Sequence, residues 1–319
     1  MSEQENNQEN NWERGVLEKL AMSALQEQRR ARHWSIFFKI LMFGYLGIFL
    51  FFLAGWIGNA GLTRSGKHTA LVDMHGVIAA ETAANADSVI SSLQDAFKDK
   101  HTQGVILRVD SPGGSPVQSG YINDEILRLR AKYPDIPLYV VVEDICASGC
   151  YYVAAAADKI FVNKASLVGS IGVLMDGFGF TGAMEKLGVD RRLLTAGKNK
   201  GFMDPFSPVN EGQKEHAKKM LADIHQQFIE VVKQGRGQRL ASSPDLFSGL
   251  IWTGKKSIEL GLADEMGSLE SVARDVIKAE DIVDFTTHEG LTERLAKRFG
   301  AGMASALQDL IAQTEIKFR

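Results

Sequence analysis

Ser148 is followed by Gly149 beyond an apolar run, Leu138 to Val142, and it opens a small-residue stretch, Val153 to Ala157. A serine followed by glycine at a strand end, leading into an alanine-rich helix, is where several hydrolase folds display a nucleophile. The same position suits a plain helix N-cap, the commoner use of serine. A second turn, Asp110 to Gly114, follows another apolar run, Gly104 to Val109. Gly113 and Gly114 come after Pro112 and before a helix, so their N–H groups can point into open space and stabilise a developing oxyanion. An ordinary glycine-rich strand-to-helix turn is the alternative. Two such turns on neighbouring strands favour chemistry.

A serine nucleophile needs a base, ordinarily histidine. The histidines are His33, His68, His75, His101, His216, His225 and His288, and none lies between His101 and His216, the stretch that holds both turns. Lysine is the other choice. Lys198 and Lys200 lie in a glycine-bounded segment without helical periodicity, Thr195 to Pro205. A lysine base must fall about two to four units from its ordinary pKa near 10.4, which burial away from carboxylates can achieve. Taken alone, either lysine fits a solvated surface better.

These turns need a scaffold. Ala70 to Val72, Val77 to Ile78, Gly104 to Val109, Leu138 to Val142 and Ile160 to Val162 read as strands, and Asp87 to Lys98 and the stretch from the second turn to about Ala131 read as helices. Continuous apolar strands each followed by a helix predict an α/β fold with a parallel sheet of βαβ units, covered on both faces. A long helix is expected from about Asn210 to Val232, with Asn210 and Gln213 spaced like a capping box and Gly235 and Gly237 ending it.

The chain has 319 residues, 45% hydrophobic and 24% charged, enough for one large domain or two small ones. A net charge of −3 gives no broad basic surface, which argues against nucleic acid as a partner. Two cysteines, Cys146 and Cys150, are too few for a disulfide framework and read as small buried hydrophobes rather than a redox pair. Ile40 to Ile57 carries no charge and is long enough to cross a bilayer core of about 30 Å. Trp34 and Trp56 flank it, and it is too long for the apolar part of a cleaved signal peptide. Arg29, Arg30, Arg32 and Lys39 precede it against Arg64 and Lys67 after it, so the N-terminus is expected in the cytoplasm and the rest outside. The expected divisions are a tail over 1–33, a transmembrane helix over 34–58, a catalytic domain over 69–285 and an amphipathic helix over 286–319.

Several segments together resemble the signal peptide peptidase A family of Ser/Lys proteases, short form, peptidase family S49, which has the Clp/crotonase-like fold. They are Asp110 to Gly114, Ala147 to Tyr152, Leu167 to Val173, and Trp252 to Gly254 followed by Gly261 to Gly267. The resemblance implies Ser148 as nucleophile, Gly114 and Gly149 as oxyanion-hole donors, Ser170 as the residue that orients the lysine, and Lys200 as base, with Lys198 two residues away. It implies a serine endopeptidase without cofactor or metal, acting on signal peptides or other apolar peptides. It also implies a single-pass protein of the bacterial inner membrane and a homo-oligomeric ring, an octamer, in which neighbours share each Ser/Lys pair. One departure is Cys150, where the family usually has glycine.

Three other readings fit less well. A Clp-type protease would want a histidine about 25 residues after the serine, where Val173 stands. A crotonase-like acyl-CoA enzyme accounts for neither the anchor nor the serine and lysine, and an inactive membrane scaffold does not explain why both are present. The stretches Gly61 to Lys67 and Gly249 to Lys255 fit a phosphate-loop spacing but lack the Ser or Thr that follows it.

Overall fold

A computed structural model describes residues 22, 28–30, 32–50 and 66–287. The chain divides into two compact units, Met1–Ser65 and Gly66–Arg319. In the first, helix α1 (Gln28–Leu50) is 23 residues long and apolar enough to cross a membrane. Its start precedes the expected span of 34–58, and residues 51–58 lie outside the described ones. The expected C-terminal amphipathic helix also falls outside them, from residue 288 onward.

The second unit is a mixed α/β domain built on a mainly parallel sheet. Its strands are β1 (His68–His75), β2 (Thr102–Ser111), β3 (Leu138–Ala147), β4 (Lys159–Val162), β5 (Leu167–Gly169), β6 (Ile251–Thr253), β7 (Glu265–Met266) and β8 (Ile282–Asp284). The order is β6-β5-β3-β2-β1-β8, with β4 beside β3 and β7 beside β4. Every pairing is parallel except β5 with β6. The apolar runs are buried on both faces, as a covered parallel sheet requires. One face holds Val72, Leu107, Val140 and Val142 in the main core; the other holds Leu71, Ile106, Val141 and Phe161 against Val272 and Ala273.

Helix α2 (Ala86–Lys98) starts at Asn85, whose side chain accepts from the Ser88 N–H at 2.9 Å, and buries Val89, Leu93, Ala96 and Phe97. Helix α3 (Pro116–Lys132) follows β2, and the short α4 (Gly149–Ala154) follows β3. Helix α5 (Thr181–Lys186) buries nothing. Helix α6 (Glu211–Arg236) is capped by Asn210 and ends at Gly237, φ 55°. Gln213 does not complete a capping box: its Oε1 accepts from the Met203 N–H at 3.1 Å. The strand expected at Val77 to Ile78 is only a single bridge from Ile78 to Gly114.

The sheet closes far along the chain. Thr69 to Leu71 of β1 pair with Ile282 to Asp284 of β8, and Thr69 Oγ1 donates to the Ala279 carbonyl at 2.7 Å. On the other side of the sheet, where Asp264 leads into β7 beside β4, Arg236 is fully buried and donates to both Asp264 carboxylate oxygens at 2.8 and 2.9 Å. Burial alone would raise the Asp264 pKa, but hydrogen bonds from Arg236 and from the Ile160 N–H outweigh it and hold the carboxyl below its ordinary range.

Candidate active site

The turn from Asp110 to Gly114 is built by glycines that let backbone approach backbone. Gly113 has φ 95° and Gly114 φ 152°, conformations that side chains disfavour. A Cβ on Gly113 would lie 2.6 Å from both the Ala147 oxygen and the Gly149 nitrogen, and one on Gly114 would run into the Ile78 carbonyl. Ser111 Oγ accepts from the Gly113 N–H at 3.1 Å. The Ile78 N–H donates to Gly113, and the Ser115 N–H donates back to Ile78, at 2.9 and 2.8 Å. Ser115 caps α3, with Pro116 at its first turn. The turn is thereby fastened on both sides, while the Gly114 N–H takes no part in these bonds.

The Ser148 turn depends on a bulge in β3. Val109 faces Val142 and Ser111 faces Cys146, so Asp110 alone stands opposite Glu143, Asp144 and Ile145. The Asp110 carboxylate accepts from the Ile145 N–H at 3.2 Å and holds the bulge. Bulges re-aim a strand. Here β3 leaves β4 after Val142 and takes up β5 from Ile145.

Ser148 follows with φ 51° and ψ −122°. A non-glycine residue in such a region costs on the order of 1–3 kcal/mol and persists only where its surroundings over-determine it. The Ser148 N–H donates to the Gly169 carbonyl at 2.9 Å, and its own carbonyl accepts from the Tyr152 N–H at 3.0 Å. Ser148 does occupy the N-cap of α4, but its side chain makes no capping hydrogen bond, so capping does not explain it. A Cβ on Gly149 would lie 2.5 Å from Ser119 Oγ and 3.2 Å from the Gly114 nitrogen, which places the two glycines of the neighbouring turns against each other. Below them Tyr151 donates to the Leu262 carbonyl at 2.7 Å, and burial pushes its hydroxyl far above the ordinary range.

The cysteines correct the sequence expectation. Both are fully buried, as expected, but Cys146 and Cys150 are joined in a disulfide with Cα atoms 5.2 Å apart. The bond straddles Ser148. The signal was present in the sequence: the chain's only two cysteines stand two residues before and two after the serine.

Gly114, Ser148, Gly149 and Ser170 all line one cavity of about 540 Å³. Ser170 has φ 50°, and its N–H donates to the Leu250 carbonyl at 2.8 Å. Val173, Leu174, Ile224 and Phe228 give the cavity an apolar wall. Four of the expected site residues are therefore together. Lys200 and Lys198 are not among the lining residues; both are exposed in a run of turns. His225, on the stretch of α6 that lines the cavity, has its Nε2 3.1 Å from the Ile171 carbonyl and is engaged there.

On the opposite face of the sheet, His75, Asp110 and Glu143 bring potential ligand atoms within 4.8 Å of one another. A cation there would compete with Arg108, which lies 3.5 Å from Glu143 and forms a two-point bond to Asp73.

The family model of peptidase family S49 matches residues 130–283, a range that holds Ser148, Ser170, Lys198 and Lys200 but not Gly114. A protein of Brucella melitensis named Na(+)/H(+) antiporter NhaA is 44% identical over 187 residues, covering 59% of this chain but 25% of that protein. An Enterococcus faecium protein named as a signal peptide peptidase SppA is 32% identical over 205 residues, covering 64% of this chain and 59% of its own. A Methanocaldococcus jannaschii protein named as a protease is 34% identical over 228 residues, covering 68% of this chain and 72% of its own. The chain thus spans a quarter of the antiporter, and that name describes a much longer protein.

Proposed function

The chain belongs to peptidase family S49, and from that premise we propose that it is a membrane-anchored serine endopeptidase with Ser148 as nucleophile and Lys200 as general base. The observation that carries the proposal is Ser148 itself. It is held at a disfavoured φ, uncapped, in the cavity it shares with Gly114, Gly149 and Ser170. Neutral Lys200 takes the Ser148 proton as Oγ attacks the peptide carbonyl, and the Gly114 and Gly149 N–H groups hold the oxyanion. The lysine then protonates the leaving amine, and water cleaves the acyl-enzyme. Ser170 orients the lysine.

Lys200 reaches Ser148 from a neighbouring protomer. Support comes from the segment that carries it: no residue from Gly172 to His216 is buried. Leu174, Phe178, Leu187 and Leu194 are between 77% and 96% exposed there. Apolar surface left in water favours association. A head-to-tail ring, an octamer by family resemblance, joins two different surfaces at every interface and can supply serine and lysine from different chains.

The apolar wall of the cavity suits signal peptides or other apolar peptides, with small or apolar side chains near the cut. Helix α1 provides the span of a single-pass protein in the bacterial inner membrane. Its basic N-terminal flank puts the tail in the cytoplasm and the catalytic domain on the periplasmic side.

The test is labelling of the full-length protein in detergent micelles with an acylating fluorophosphonate, followed by mapping of the labelled residue. Label on Ser148, competed by apolar peptide, is expected. Label elsewhere, or none in a peptide-cleaving preparation, would overturn the assignment.

A further inference from the structure

We propose that the Cys146–Cys150 disulfide is a positioning element of the nucleophile turn, holding Ser148 Oγ and the Gly149 N–H in place so that the oxidised chain acylates faster than the reduced one. The inference rests on the reading of Ser148 as nucleophile. Only Ala147, Ser148 and Gly149 lie between the bonded residues, so the bond closes a small ring around the reacting group. Ser148 stands at φ 51°, and its N–H and carbonyl are each tied to one neighbour. Gly149 must also keep its amide beside that of Gly114, in a space closed by Ser119 Oγ. The disulfide is the covalent tie that spans all three residues.

Both sulfurs belong to fully buried residues of the main core. Free thiols cannot approach as closely as bonded sulfurs, and a close-packed core has no slack to absorb the difference. Reduction therefore displaces Cys146 or Cys150 and carries the turn with it. Misplacement of a reacting group by about an ångström can cost up to about a hundredfold in rate. In closing, the two thiols give two electrons and two protons to a disulfide-bearing exchange partner, which leaves as a dithiol; a dithiol reductant runs the reverse. An outward-facing domain meets the oxidising conditions in which such a bond persists.

The experiment compares the full-length protein in micelles as isolated, after a dithiol reductant, and after reoxidation, with thiol state read by alkylation and mass. The rate of Ser148 acylation by a fluorophosphonate and the kcat and KM for an apolar peptide are measured in each state. Reduction should lower the acylation rate and kcat about tenfold with KM nearly unchanged, and reoxidation should restore them. The C146A/C150A variant supplies the open form even where the buried bond resists reductant. It should be slow and indifferent to redox conditions. Equal acylation rates in both states, a double variant as fast as the oxidised protein, or two alkylatable thiols in protein that was never reduced would each overturn the proposal. If Ser148 takes no label in any state, the nucleophile assignment itself is overturned.

Discussion

Residues 138–171 and residues 172–216 adjoin in sequence and are built on opposite terms. The first stretch holds β3, its bulge, the Ser148 turn, α4, β4 and β5, with most of its apolar side chains buried and with Ser148 tied by two backbone bonds and a flanking disulfide. The second has no buried residue and exposes Leu174, Phe178, Leu187 and Leu194. The contrast shows where the chain's own packing is sufficient. The serine half of the proposed site is assembled within one chain, whereas the lysine half carries apolar surface that a second copy would cover.

The severest test of the serine half is Ser148→Ala, which should cut peptide cleavage by at least about a thousandfold, to the level left by binding and oxyanion terms. Wild-type turnover in that variant would remove the contrast altogether. For the lysine half, Lys200→Arg should be inactive while Lys198→Arg keeps most activity, because arginine stays protonated in proteins and cannot act as base. The opposite pattern in the same peptide assay would move the base to Lys198. Mixing Ser148→Ala chains with Lys200→Ala chains sharpens the comparison further. Sites shared between protomers should recover about a quarter of wild-type activity in an equal, co-assembled mixture. A mixture shown to exchange subunits but still inactive would place both residues in one chain.

Two smaller effects test the packed half alone. Asp264→Ala leaves Arg236 buried and unpaired, which should lower the unfolding free energy by about 3–5 kcal/mol in a denaturant titration. An unchanged midpoint would mean that the pair is dispensable. The native Asp264 carboxyl titrates below its unfolded value, so its contribution is complete above about pH 4 and fades as pH falls through the depressed native pKa. Asp264→Asn should therefore flatten the loss of melting temperature in that acid window and leave the slope near neutrality alone.

Much of this was legible in the residues. The runs Gly104 to Val109 and Leu138 to Val142 lie inside β2 and β3, because continuous β-branched residues suit a strand covered on both faces. Asp87 to Lys98 differs from α2 by one residue. The two turns announced themselves through serine and glycine at strand ends, and Ser170 shares their cavity. The short strands β5 to β8 were not legible, since two or three residues become strand only through partners far along the chain. The continuation of β3 past Glu143 depends on Asp110 accepting from Ile145, a contact that no local pattern reveals. The disulfide was misread because burial and pairing make the same demand on sequence: two small apolar residues in an apolar run. The exposed place of Lys200 outside the cavity was unreadable for a different reason, as spacing along a chain does not say which side chains a cavity gathers.

The pairing of β1 with β8 sets an order of events for a chain made from its N-terminus. Thr69 waits for Ala279, 210 residues later, before its hydroxyl finds its acceptor. During that interval β1 can pair with β2 on one side only, and its other edge presents free amides and carbonyls above an apolar surface. Sheets closed by such distant contacts form slowly and stay open to wrong partners meanwhile. A chain arrested before Ile282 would keep every residue of the Ser148 turns, yet its open edge would recruit strands from other nascent chains. Its failure would be aggregation during synthesis rather than a missing catalytic group.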